Sequence, residues 1–276
     1  MGRRVWLVTG ASRGIGAEIA KAVLATGDAL IAAARTPSTL AFLGDSDRLL
    51  PVRLDVTDPT QAADAVAAGI ERFGHIDVLV NNAGVSFLGA VEETSPDNVQ
   101  RLFETNVFGL LNVTRAVLPH MRRRRRGHLM NIASVAGYSG YAGFGVYSGT
   151  KFAVEGVSEA LHLELAPLGV HVTIVEPGFF RSDILDHATS LVEADVHFAD
   201  YDATAGAVRA FVPQINHHQP GDPAKLARAL IELANAPQPP LRLPLGTDCL
   251  QRIAEKDAVV QRERESWRAL GASTDG

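Results

Sequence analysis

Cys249 is the only cysteine in the 276-residue chain, which excludes disulfide stapling within it and any cysteine-rich metal site, and fits a reducing compartment. Long hydrophobic runs are also missing, and nothing approaches the ~18 apolar residues needed to span a bilayer. The opening stretch, MGRRVWLVTGASRG, has basic residues and a short apolar run but no extended hydrophobic segment or small-residue cleavage site, so it does not read as a signal peptide. Trp6 stands where a myristoylation motif needs Ser or Thr. A cytoplasmic location is the expectation. Neither sign of charge dominates, and a formal charge of −5 gives no reason to expect nucleic acid or an anionic membrane as a partner. The one local exception is RRRRR, Arg122 to Arg126, between a helical stretch and the apolar HLMNIA. No aromatic residues interleave with these arginines, so they read as a solvated corner where cations suit a helix C-terminus.

Apolar residues make up 46% of the chain, ample for a sizeable core, and they fall in a regular rhythm. Short β-rich runs (RVWLVTG, ALIAAAR, LLPVRLD, IDVLVNNAG, GHLMNIAS, GVHVTIVEPG and PLRLPLG) alternate with helical stretches near 14–26, 58–73, 96–120, 147–168 and 222–235. Such alternation implies an α/β fold: a doubly wound, Rossmann-like parallel sheet with helices on both faces, in three layers. The nearly continuous apolar character of the strands fits burial on both faces. Residues 1–246 are read as one domain. Within it, 179–220 is far longer than an ordinary connection and is expected to form a helical lid. Residues 247–276 are read as a helical extension, with GASTDG fraying at its end.

YSGTKFAVEG opens the fourth helix with Tyr147 and puts Lys151 one turn on, where side chains four apart face each other. A phenol needs a shift of about 3 units, on the order of 4 kcal/mol, to exchange protons at neutral pH. A positive charge some 5 Å away contributes roughly 3 kcal/mol at an effective dielectric near 20. Tyr138 and Tyr141 have Ala142 and Gly145 at the matching position, so only Tyr147 has the lysine. A lone pair of this kind is more often a half-buried aromatic beside a solvated amine, and its company decides.

That company begins at TGASRGIG, Thr9 to Gly16, joining the first strand to the first helix. Its glycines, Gly10, Gly14 and Gly16, let the backbone turn tightly and approach a pyrophosphate, which would meet free N–H groups at a helix N-terminus. The second strand ends AAAR, with no acid to hold the 2′-hydroxyl of NAD and with Arg35 where a 2′-phosphate of NADP would lie. Arg13 in the glycine turn is expected to approach the same phosphate. Asp55 closes the third strand and Asn81 to Gly84 the fourth, all at the sheet edge where open α/β folds bind ligands.

TGASRGIG, LDVTD, NNAG, TNVFG, NIASVAG, YSGTK and EPG occur in the order and spacing of the short-chain dehydrogenase/reductase family, which the chain resembles over roughly residues 4 to 182. The resemblance implies an oxidoreductase with a catalytic tetrad on Asn106, Ser134, Tyr147 and Lys151. Tyr147 would exchange the proton, Ser134 would bond the substrate oxygen, and Lys151 would lower the phenol pKa and bond the nicotinamide ribose. Asn106 would hold a water linking the lysine to solvent. The resemblance also implies NADP(H) contacts from Gly10, Ser12, Arg13, Gly14, Ile15, Gly16, Arg35, Asp55, Val56, Asn82, Ala83, Gly84, Tyr147, Lys151, Pro177, Gly178, Phe180 and Ser182. Ser182 stands where many members have threonine, and the tail after Gly246 exceeds the usual length. A homo-oligomer, dimer or tetramer, is a further family expectation.

The substrate is expected to be a small-molecule carbonyl compound or alcohol. Phe87, Tyr141, Phe144, Phe179, Phe180, Leu185, Phe198, Tyr201 and Phe211 are candidates for the pocket wall, which suggests a lipophilic ketone or aldehyde. The nine histidines form no evident ligand constellation, His217 and His218 being expected to meet solvent, and no metal is expected. The alternative of another class is a nucleotide-binding regulator without turnover, against which a complete Asn-Ser-Tyr-Lys set argues. Sugar-nucleotide epimerisation or dehydration usually needs a larger C-terminal domain.

Overall fold

The computed structural model describes residues 3–275. In chain order the elements are β1 (Val5–Thr9), α1 (Gly14–Ala25), β2 (Ala29–Ala34), β3 (Leu49–Arg53), α2 (Pro59–Phe73), β4 (Val78–Asn81), β5 (Ser86–Leu88) and α3 (Pro96–Phe103). There follow α4 (Gly109–Arg124), β6 (Gly127–Ile132), α5 (Gly145–Leu165), β7 (Val170–Pro177), β8 (Leu191–Glu193), α6 (Ala207–Ile215), α7 (Pro223–Asn235), β9 (Arg242–Leu245), α8 (Thr247–Ser266) and α9 (Arg268–Ala272).

Seven strands form one parallel sheet in the order β3-β2-β1-β4-β6-β7-β9. Every residue of β1, β2 and β6 is buried. Alternate side chains leave opposite faces. Trp6 and Val8 therefore enter a core with Ile19, Leu30 and Leu230, while Leu7 enters one with Ile31, Leu79, Val113 and Leu129. Leu79→Ala would open a cavity in fully buried packing. It should cost about 2–5 kcal/mol, read as a lowered midpoint in denaturant unfolding at unchanged slope.

Local chemistry sets the helix ends. Asp58 caps α2 by accepting from the Thr60 and Gln61 N–H groups, Pro59 fits the first turn, and Gly74 ends the helix at φ 83°. Asp222 and Pro223 repeat the start at α7. The arginine run ends α4: Arg125 takes a left-handed φ of 53°, and Arg124 donates to the Ile76 carbonyl and to Asp77.

Four features differ from the sequence reading. The expected helix near 96–120 is interrupted by a π-helical turn, Glu104–Phe108, and runs on to Arg124. The catalytic-helix candidate α5 starts two residues early, at Gly145. The segment expected to be a helical lid is mixed: beside α6 it contributes β8, which pairs in parallel with β5 in a separate two-stranded sheet. In the tail expected to fray, Gly271 and Ala272 close α9, while Gly276 lies outside the described residues.

The strand order turns back between β1 and β4, and ligands of such sheets bind beyond the strand C-termini at this point. Thr9 and Asn81 are the last residues of those strands, and Gly10 and Asn82, which follow them, line that crevice.

Candidate active site

A cavity of about 330 Å³ opens at the crevice. Its lining holds every cofactor-site candidate from the sequence, from Gly10 in the first turn to Ser182 after β7, together with Ser134, Tyr147 and Lys151. Among the catalytic and cofactor candidates, Asn106 alone does not line it.

The glycine turn is built for close approach. Gly10 and Gly14 have φ of 63° and 54°, and a β-carbon on Gly16 would lie 2.2 Å from the Gly10 carbonyl oxygen. Thr9, which sequence reasoning quoted but gave no role, ties the turn to the end of β4 by accepting from the Asn82 and Ala83 N–H groups at 3.0 Å each. The Asn82 amide returns to the Thr9 carbonyl at 2.9 Å. Asp55 is held by Thr57, whose N–H and hydroxyl both donate to its carboxylate.

Arg35 follows β2, exposed and lining the cavity. Arg13 departs from expectation. Its guanidinium turns to the segment after β7 and donates to the Thr189 carbonyl at 2.9 Å and to the Ser190 hydroxyl at 3.0 Å. The long side chain reaches a folded segment that local sequence could not place beside it.

On the opposite wall Ser134 ends the connection after β6 and accepts from the Ala136 N–H at 3.1 Å. Its hydroxyl lies close enough to Tyr147, in the first turn of α5, to pull the phenol pKa down. Lys151, one turn further and buried, donates to the Ile132 carbonyl at 2.9 Å. Burial pushes its amine down to about 8, with the charge of Glu155 acting in the opposite sense. The expectation that the lysine lowers the phenol is corrected here. Burial pushes Tyr147 up to about 12 and the Ser134 hydroxyl pulls only partly against it. The ammonium lies over the ring, 5.8 Å from its centroid, and is engaged by a carbonyl, so its charge is not focused on the hydroxyl.

Asn106 sits in the π turn behind the cavity. Its carboxamide accepts from the Val85 N–H and donates to the Val85 carbonyl, each at 2.9 Å, and donates to Thr150 at 3.1 Å. Thr150 in turn donates to the Tyr147 carbonyl at 2.7 Å. The side chain thus clamps α5 against the fourth strand's exit.

Of the nine wall candidates, Tyr141, Phe144, Phe179, Phe180 and Leu185 line the cavity. Phe87 is buried in a cluster with Leu102 and Ala194, Phe198 and Phe211 are exposed, and the Tyr201 hydroxyl donates to Glu92. Phe87 is turned inward by its place in β5, and the other three lie on the outside of the segment after β7. Gln219, which carried no sequence signal, is buried, lines the cavity and has neither amide atom hydrogen-bonded within the protein. The same segment brings His217 within reach of Asp183 and Asp186, their ligand atoms lying within 4.8 Å of one another, against the reading that no histidine joins such a group.

No helix among the described residues is long and apolar enough to cross a membrane. The family model for short chain dehydrogenases matches residues 4–193. An oxidoreductase of Botryotinia fuckeliana, BOA17, is 36% identical over 274 residues, covering 98% of this chain and 99% of that one. The crystal structure of a short-chain dehydrogenase from Streptomyces avermitilis superposes with a TM-score of 0.92 at 40% identity, covering 99% of both chains. Two more distant structures differ in their nucleotide. ElxO holds NADP (TM-score 0.74, 25% identity, 91% of this chain and 100% of that one). A short-chain dehydrogenase/reductase from Burkholderia phymatum holds NAD (TM-score 0.79, 26% identity, 94% and 95%). With the glycine turn, the Ser134–Tyr147 pair and Lys151 gathered at the switch point of a parallel sheet, the chain belongs to the short-chain dehydrogenase family.

Proposed function

We propose that the protein is an NADPH-dependent oxidoreductase that interconverts a lipophilic ketone or aldehyde and its alcohol, with Tyr147 as proton donor in reduction and acceptor in oxidation. The observation that carries this reading is the meeting of Ser134, Tyr147 and Lys151 in one cavity wall, the lysine one turn along the same helix from the tyrosine. A substrate oxygen placed between the two hydroxyls would receive a hydrogen bond from Ser134 and the proton of Tyr147.

The residues present fit a dinucleotide. Side chains are absent where the backbone must approach a pyrophosphate, at Gly10, Gly14 and Gly16, and the unpaired amide of Gln219 is turned into the same cavity wall. Bound there, NADPH would supply the hydride. Arg35, with no acid preceding it in Ala32-Ala33-Ala34, supports the phosphorylated form. Lys151 would hold the ribose, and Asp55, Val56 and Asn82 to Gly84 the adenine side. A cytoplasmic homo-oligomer belongs to the same reading, on the strength of the family resemblance.

Tyr141, Phe144, Phe179, Ile184 and Leu185 give the substrate end an apolar wall, and burial of apolar surface would supply affinity there. Residues 183–215 would close over it as a lid. A matched series of ketones of rising hydrophobicity at constant carbonyl reactivity tests this through NADPH consumption. kcat/KM should rise by roughly threefold to fourfold per added buried methylene, at about 0.8 kcal/mol each. A preference for small or anionic carbonyls throughout the series would overturn the substrate class.

A further inference from the structure

Two buried carboxyl groups lie behind Lys151 and take no part in the chemistry above. Glu155 is one turn beyond the lysine on α5, and Glu176 is the penultimate residue of β7. Both are buried. Their carboxyl groups are within hydrogen-bond reach of each other. Arg242 on β9 is the cation that meets them, with Nη2 at 3.1 Å from Glu155 Oε2 and Nε at 3.3 Å from Glu176 Oε1, and it also bonds the more exposed Glu159. Glu155 Oε1 and both Glu176 oxygens lack any other hydrogen-bond donor in the protein.

Two carboxylates in contact, sharing one guanidinium with a third, do not both ionise in a buried site. A proton between them would serve the orphaned oxygens. Among the described residues, the other groups that act with the pair are Cys249 at the start of α8 and Tyr138 after β6, and neither is a cation. The Cys249 thiol donates to the Glu176 carbonyl at 3.1 Å and burial pushes it up to about 12, so it stays neutral. Gly137 closes the remaining side, where a β-carbon would lie 3.2 Å from Glu155 Cγ.

We infer that Glu155 and Glu176 share one proton, clamped by Arg242, and that this pair sets the protonation of Lys151 from behind the catalytic face. Glu155 accepts a hydrogen bond from Arg242 while neither Glu176 oxygen has a donor, and burial first and the charge of Glu176 next push the Glu155 carboxyl up. The proton is divided between the two, so Glu155 carries part of the negative charge. The charge nearest the lysine is therefore decided by how that proton is divided. The inference rests on the proposed role of Lys151 for its bearing on catalysis, but its test needs neither substrate nor cofactor.

The chain has four lysines, so the ε-resonances of selectively labelled protein can be followed with pH and that of Lys151 assigned with Lys151→Arg. Glu176→Gln should free Glu155 to ionise beside the lysine and raise the Lys151 midpoint by about one pH unit. Glu155→Gln should remove that carboxylate and lower the midpoint by about the same amount. Opposite shifts from two isosteric changes do not arise from loosened packing. Shifts of one sign, or no shift in either variant, would overturn the inference. In the unaltered protein, labelled at the glutamate carboxyl carbon, one carboxyl should remain protonated at pH 7. If every glutamate titrates below about pH 6, near its ordinary range, there is no shared proton. Should the ketone assay fail while these titrations behave as stated, the proposed activity falls and the proton pair stands.

Discussion

Tyr147→Phe should still bind NADPH, by fluorescence titration, while the chemical step falls by roughly 10²–10⁴-fold. The substitution removes one oxygen from a ring whose position is fixed independently of it. Phe144 meets the ring edge to face at 6.2 Å, and the Tyr147 carbonyl is held by Thr150, itself bonded to Asn106. The loss should therefore appear in kcat and leave the nucleotide dissociation constant nearly unchanged. With the phenol pushed up to about 12, the proton is present at any working pH, so reduction should not fail at neutral pH for want of a donor. A single-turnover loss below about tenfold would remove Tyr147 from the proton-transfer role.

The coenzyme preference should be nearly as large, and carried by one arginine. A charge-assisted hydrogen bond contributes roughly 1.5–3 kcal/mol, so NADPH should exceed NADH by about one to two powers of ten in kcat/KM. Arg35→Ala should erase most of that margin. Arg13→Ala should erase less, because its guanidinium is already engaged by the Thr189 carbonyl and the Ser190 hydroxyl. Measuring both coenzymes with each variant separates the two residues. Equal use of NADPH and NADH by the unaltered protein would contradict the reading of Arg35.

The parts legible in the sequence are those fixed by local pattern. Apolar runs ending in TGASRG, LDVTD and NNAG placed the strands. Because all these motifs terminate strands of one parallel sheet, their convergence on one cavity followed from topology. What was not legible depends on distant contacts. Arg13 finds its partners 176 and 177 residues away, and the pairing of β5 with β8 joins segments about a hundred residues apart. The wall candidates divided between cavity, core and solvent according to a fold their spacing does not encode. The Tyr147 proton was misjudged because a helix wheel gives the proximity of Lys151 but neither the burial of the phenol nor the carbonyl that holds the ammonium.

The π turn at Glu104–Phe108 gives the segment leading to α4 a property of length as well as of composition. A π turn contains one residue more than an α turn. Deleting any one residue there would let α3 and α4 fuse into a continuous helix, and each residue of an α-helix advances about 100° around its axis. Either the carboxamide of Asn106 would then rotate off Val85 and Thr150, or the whole of α4 would turn its apolar stripe out of the core. The stretch can therefore exchange side chains far more freely than it can change its number of residues, and among homologous chains an insertion or deletion at this place should be rarer than in the loops on either side.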